Sequence, residues 1–438
     1  MAETVEVDDF EILLNDDDYI SRPLDFNRAS LSRSVQYAIE RLHSVLCDDV
    51  SFASMDRGGT MSHLNLVLCN LLHAHFQLPG IWVRYHSMSN RYRKVPRYHP
   101  YGCSYTHMMA VTRGLRAKGL VDYKRGFYYR EDQQGKLSRI RAKPSLIAMA
   151  VGEVGVRPDD VSSRFKPELI TLRDWKKLAI PYRDNAHTSH MRDRLVRYNA
   201  CLKAHEIVLR GLGRGERSLL GDYPVDFTRT EYHQVFSNSS FDLGGRFYGP
   251  WWQNLKSDLR RFIQIDGAAA TGLDYSAIHI HLLYGLNGLN YADLYGDADP
   301  YSLENENTFE RTVLKLALLV ALNAKDENKA IWATIRKLRK IGEYVTYTSL
   351  KKLLGRFADK HSRIRDQFFS GVGLSLQRTE AIVSERVIDY FTERDIPILN
   401  VHDCFVCGIE HDATLHQRMV EAFRELDLPS IPTIKKEF

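Results

Sequence analysis

Two aspartates stand alone in apolar company: Asp274 in TGLDYSAIHIHLLYG and Asp403 in LNVHDCFVCG. Burying an unpaired carboxylate costs several kcal/mol unless a cation or strong donors compensate it, so each acid calls for a partner. Two strands placed side by side would bring both carboxylates within reach of hard divalent cations, whose preference for oxygen suits Mg²⁺. Two-metal phosphoryl transfer requires that geometry. Between the two acids, ERTVLKLALLVALN carries Arg311 and Lys315 four residues apart, on one face of one helix. Such a cationic pair neutralises phosphate charge. A rival reading joins His279 and His281, an H-x-H, with Asp403 as Zn²⁺ ligands of a metal hydrolase. LLYGLNG reads as helical, however, and on a helix those two rings lie about 200° apart and cannot share an ion. The plainer readings are a solvated helix face for Arg311 and Lys315, a surface amide for Gln377 and a satisfied core histidine for His402. Their joint occurrence, in order and at workable spacing, favours a site.

The elements that must position these residues follow from the pattern of the second half. GGRFYGPWWQNLKSDLRRFIQIDGAAATGLDYSAIHIHLLYGLNG reads as a turn, a strand, a second strand ending at Asp274, and a helix from near Ser276. A long helix around FERTVLKLALLVALNA, further helices through 328–393 and the strand PILNVHDCFVCGI come next. Strands that deliver carboxylates, separated by helices, predict an α/β palm-like sheet. Cys404 and Cys407 form a C-x-x-C in the last strand. Residues three apart on a strand point to opposite faces, which favours two packed core cysteines over zinc ligands.

At this point the motifs resemble a known group. DYSAIHIHLL resembles the first palm motif of the family A DNA polymerases and the related single-subunit phage-type RNA polymerases, and NVHDCFV resembles their last palm motif. Arg311 and Lys315 match the R-x-x-x-K of the fingers helix. GDADPYSL is similar to the segment ahead of that helix, and GVGLSLQRTEAIVSERVIDYF to the helix before the last motif. The resemblance covers about residues 240–410. It implies a right-hand palm with helical fingers, of mixed α/β (α+β) class, in which Asp274 and Asp403 hold two Mg²⁺ ions, with Mn²⁺ able to substitute. It further implies the Tyr275 carbonyl as a third ligand, Arg311 and Lys315 on the incoming triphosphate, and Gln377, Arg378 and His402 at the primer or template. His279 stands where the DNA enzymes place a ribose-excluding glutamate and Asn323 where the fingers carry a tyrosine, so both fall at the nucleotide. Leu319 replaces an aromatic or Met, and Cys404 replaces a Glu or Ser. Without the usual gate, ribonucleotide entry is expected. No exonuclease domain is evident in the chain before the palm.

The first half reads differently. SHLNLVLCNLLHAHF carries apolar residues at helical spacing from about Ser62 to Phe76, and SYTHMMAVTRGLRAKGLV gives a second helix closed by Gly119. DYKRGFYYREDQQGKLSRIRAKPSLI reads as a β-hairpin around a turn at Asp132–Gly135. Helix, helix, hairpin is the order of a winged helix, with Arg113, Arg116, Lys118, Lys124 and Arg125 as DNA contacts. The competing reading is a small helical domain with a solvated basic face. The stretch from Trp82 to Tyr98 is either a stacking surface for nucleic acid or a loop with tyrosines packed beneath it. The resulting division is 1–58 as acidic leader and helical lead-in, 59–147 as winged helix, 148–221 as helical connector with a Gly-rich boundary near 211–221, and 222–438 as palm and fingers.

Bulk properties bound the class. A chain of 438 residues is too long for one ordinary core. With 26% charged residues, it has no uncharged apolar stretch approaching the roughly 18 residues of a membrane span. Six cysteines are too few for a disulfide framework. The acidic start has the wrong sign for a targeting peptide, so a cytoplasmic location is expected. The net charge is +5, and residues 84–143 concentrate Arg and Lys, a candidate nucleic-acid face. The expectation is a template-directed nucleotidyltransferase, a DNA polymerase or primase-polymerase of a plasmid, phage or mobile element, acting on DNA template, primer and nucleoside triphosphates. The alternative is a DNA-binding replication initiator or regulator with an inactive palm.

Overall fold

The computed structural model describes residues 21–92, 95, 97–99, 104–129, 134–162, 168–213, 225–303 and 308–438. The acidic leader, the tip of the expected hairpin turn and most of the Gly-rich boundary near 211–221 lie outside the described residues. The chain divides into two compact units. The first holds the described residues up to Thr171 with Leu178–Arg183 and the described part of 213–229, and the second holds Leu172–Lys177, Asp184–Leu212 and Thr230–Phe438. The stretch 148–221 is therefore shared between the units. No described helix is long and apolar enough to cross a membrane.

The first unit comprises β1 (Ser21–Pro23), α1 (Arg33–Leu46), α2 (Arg57–Gln77), β2 (Trp82–Tyr85), α3 (Tyr105–Ala117), β3 (Val121–Lys124) and β4 (Ser138–Ala142). α2 starts five residues before the apolar run, because Asp56 caps it by accepting from the Gly59 amide at 2.6 Å. Leu64, Val67, Leu68, Leu71 and Leu72 of α2 meet Val35, Ile39 and Leu42 of α1 in one core that also takes Met108, Val111 and Leu115 of α3. The sheet runs β1-β2-β4-β3. β3 and β4 form the expected antiparallel hairpin, extended outward by the pairing of Phe127–Tyr129 with Gln134–Lys136. Trp82, Tyr85, Tyr92 and Tyr98 are buried. This corrects the stacking-surface alternative, since these rings are core and present no face to a base.

The second unit is built on α4 (Ala186–Ala204), β5 (Ile207–Leu209), β6 (His233–Ser237), β7 (Ser240–Tyr248), β8 (Ile263–Ile265), β9 (Ala268–Tyr275), α5 (Ile278–Leu286), α6 (Thr308–Asn323), α7 (Glu327–Lys340), α8 (Tyr347–Lys360), α9 (Gly373–Thr392), β10 (Leu399–Val401), β11 (Cys404–Gly408), α10 (Asp412–Arg424) and β12 (Ile434–Lys436). Its main sheet has the order β10-β11-β9-β8-β5, and β12 also pairs with β9. Every pairing in this sheet is antiparallel. Asp266 and Gly267, both at positive φ, form the two-residue turn between β8 and β9. α10 lies against β9, where the Tyr275 ring packs on Phe405 and Phe423. α9 packs on β7. A Cβ at Gly245, whose φ is +83°, would fall 2.8 Å from the Phe236 ring and 3.3 Å from Arg378 Cδ, so this close approach needs glycine.

Candidate active site

β9 and β11 bring the two isolated aspartates together. Asp274 is registered opposite Cys404, and Asp403 occupies the two-residue turn between β10 and β11 with His402, which sits at φ 60°. The Tyr275 amide donates to the Asp403 carbonyl at 3.2 Å, fixing the end of one strand to the tip of the other hairpin. The Tyr275 hydroxyl donates to the Met419 carbonyl at 2.6 Å, so its side chain belongs to the core.

The electrostatics of this corner disfavour two bare anions. Burial, then the charges of Asp403 and Glu437, push Asp274 up to about 7, against the pull of Lys315 and Arg260. Burial and the nearby Glu380 likewise raise Asp403, while its own backbone amide, Arg246 and His279 pull it down. Two carboxylates destabilised as anions, with hard oxygen donors on one sheet corner, form a donor set that fits Mg²⁺.

A second layer supports Asp403. Glu380 of α9 is buried and accepts from Arg246 Nη2 at 2.5 Å and faces His279 Nε2 at 2.9 Å. Burial opposes its ionisation, but Arg246 and His279 outweigh that and hold it down to about 2. About one and a half turns further along α9, Glu385 is buried between Arg378 Nη1 and Arg194 Nη1, each at 2.9 Å.

His279 and His281 do not converge, which corrects the zinc reading: His281 turns its Nδ1 to Ser430 Oγ at 3.0 Å, away from Glu380. Arg311 is ion-paired with Asp299 at 2.6 Å, and Lys315 is exposed within electrostatic reach of Asp274. Asn323 donates to the Leu319 carbonyl at 2.8 Å and lies so near the start of α9 that a Cβ at Gly373 would fall 2.3 Å from its Oδ1. Gln377 is half-buried on α9. The Arg378 guanidinium donates to Glu385 Oε1 at 2.9 Å. The His402 ring stands edge-on to Tyr248 at 5.8 Å. Cys404 and Cys407 are both buried and free of disulfides. In the first unit, Arg113, Arg116 and Arg125 are exposed, Lys118 pairs with Asp48 at 2.6 Å, Arg116 covers the Tyr123 ring and Lys124 lies 5.7 Å from the Trp82 ring.

Sequence reasoning missed Glu380, Arg246 and Glu437. Glu437 follows β12, which pairs with β9 so that Lys435 stands opposite Asp274. The Glu437 carboxylate accepts from the Cys404 thiol at 2.9 Å and pairs with Arg260 at 2.8 Å. Burial and this acid push the thiol up, so Cys404 stays protonated and donates. A signal existed for Glu380, which takes a place in the apolar stripe of α9 with Leu376, Val383 and Val387. None existed for Glu437, whose role depends on a strand pairing across the whole unit.

No family model and no curated protein matches this chain. Among solved structures, the chain is similar to the POL domain of Pol1 from M. smegmatis, solved in complex with DNA primer-template and dNTP. The similarity has a TM-score of 0.34 and 12% identity, and it covers 94% of this chain and 66% of that one.

Proposed function

We propose that this protein is a template-directed nucleotidyltransferase, a DNA polymerase or primase-polymerase with a family-A-like palm and fingers behind a winged-helix module. The observation that carries the reading is the meeting of Asp274 and Asp403 at one corner of an antiparallel sheet, with Lys315 acting on Asp274 from the neighbouring helix. The motif order of DYSAIHIHLL, the Arg311–Lys315 helix and NVHDCFV agrees with it. For the first module, the support is the succession α2, β2, α3, β3, β4 with β4 between β2 and β3.

Asp274 and Asp403, with the Tyr275 carbonyl, would hold the two Mg²⁺ ions. When bound, the ions supply the charge that activates an attacking hydroxyl and stabilises the leaving oxygen. Lys315 attracts the triphosphate, and Arg311 joins it by exchanging Asp299 for phosphate. Glu380 steadies His279 and Arg246 beside Asp403, so the ring is oriented before a sugar arrives. Gln377, Arg378 and His402 would lie at the primer or template side.

The test is extension of a labelled primer-template with dNTPs and rNTPs supplied separately, with and without primer, under Mg²⁺ or Mn²⁺. Metal-dependent extension that is lost in Asp274→Ala and in Asp403→Ala, with DNA binding retained, is the expected result. Full synthesis in either variant overturns the reading, and catalysis of hydrolysis restored only by Zn²⁺ would return the metal hydrolase.

A further inference from the structure

We propose that Cys201, His205 and Asp395 form a separate binding site for a soft divalent cation of the Zn²⁺ type. Their ligand atoms lie within 4.8 Å of one another. Cys201 lies in the last turn of α4, His205 follows directly after its end in an extended conformation, and Asp395 follows α9 in a left-handed conformation at φ 53°. The site lies by the turn that opens β9, whereas Asp274 is at its far end, about 26 Å of strand away.

The setting of the His205 ring suits a ligand. Its Nδ1 meets Asp266 Oδ2 at 2.6 Å, and Asp266 is itself fixed by accepting from the Glu206 amide at 2.8 Å. Its Nε2 faces oxygens of Asp395, the carbonyl at 3.2 Å and Oδ1 at 3.9 Å. With Nδ1 engaged by Asp266, Nε2 is the ring nitrogen turned towards Asp395 and is the atom placed to share an ion with the Cys201 thiol and the Asp395 carboxylate. A carboxylate that orients a histidine through its other nitrogen is the usual outer partner of a metal-binding imidazole.

The donor set selects the ion. Thiolate, imidazole and carboxylate together suit Zn²⁺ and not Mg²⁺. Bonds of about 2.0–2.3 Å at tetrahedral angles separate ligand atoms by about 3.3–3.6 Å, so modest side-chain movement closes the site. The Cys201 thiol already donates towards Asp395, and binding transfers its proton to solvent as the Sγ–metal bond forms. Cys201 and Asp395 also line a cavity of about 350 Å³, shared with Arg197, which leaves room for water as the fourth ligand. The ion would clip together the end of α4, the end of α9 and, through Asp266, the β8–β9 turn.

The test uses the full chain and Zn²⁺ or Co²⁺ as the probe, in excess Mg²⁺. One tightly held Zn²⁺ per chain is expected, with a thiolate-to-cobalt absorption band in the Co²⁺ form. The band disappears in Cys201→Ser, affinity falls sharply in His205→Gln, and Asp266→Asn weakens binding about 10- to 100-fold. Both ion and band persist in Asp274→Ala/Asp403→Ala, which separates this site from the proposed polymerase centre. Absence of stoichiometric binding, or a band and affinity unchanged in Cys201→Ser and His205→Gln, overturns the proposal.

Discussion

Asp274 is held near 7 in the folded chain, whereas an aspartate in the unfolded chain titrates near about 3.9. Below both values the group is protonated in either state and contributes nothing. As pH rises between them, the unfolded chain releases its proton first, so folding stability falls, and the whole penalty is present above about 7. At 1.36 kcal/mol per pK unit the ceiling is about 4 kcal/mol. Asp274→Asn is therefore expected to abolish synthesis and yet raise the metal-free melting temperature at pH 8, with the advantage gone at pH 4. Added Mg²⁺ should stabilise the wild type at pH 8 but not this variant; identical melting curves for the two proteins at pH 8 would refute the account. His279 is bonded to Glu380, so a glutamate at 279 would meet a second carboxylate instead of restoring a gate. Wild type should incorporate rNTPs measurably, and His279→Glu should lose synthesis with both sugars rather than gain dNTP preference, as read by single-turnover incorporation of matched dNTP and rNTP.

At the scale of elements, strands and helices were legible where one local signal dominates. The strand that ends at Asp274 and the apolar periodicity of α2 and α3 are of that kind. The path of the sheet was not, because β12 and β5 reach β9 and β8 through pairings between distant segments that no local pattern encodes. Asp274 and Asp403 were recognisable because an acid in an apolar run is costly anywhere. Glu380 carries the same signal in weaker form, as an acid on the buried stripe of an otherwise ordinary amphipathic helix. Its burial makes a sharp expectation. Glu380→Ala leaves Arg246 and His279 inside without their carboxylate, and breaking a buried pair by removing one partner costs about 3–5 kcal/mol. Urea unfolding should show a loss of that size, and replacing Arg246 with Met in the same background should recover part of it. A near-neutral Glu380→Ala would mean that solvent reaches the pair and that α9 is not held by this charge.

At the scale of the whole molecule, the charge of +5 is less informative than where the cations stand. Of the five expected DNA contacts, Arg113, Arg116 and Arg125 are exposed, whereas Lys118 is paired with Asp48 and Lys124 lies beside Trp82. A fragment of residues 59–147 would lack α1 and β1, and with α1 it would lose Val35, Ile39 and Leu42 from the core that α2 and α3 share. DNA binding must therefore be measured on the full chain. Each cation that contacts a phosphate releases counterion, so the log of the binding constant falls with the log of salt by about 0.9 per contact. Arg113→Ala and Arg116→Ala should each flatten that slope by about 0.9 on duplex DNA, in Asp274→Ala/Asp403→Ala protein as well as in wild type. Lys118→Ala should flatten it less, since binding through that side chain must first displace Asp48. Equal slopes in all three variants would remove this face from DNA recognition while leaving the two-aspartate centre untouched.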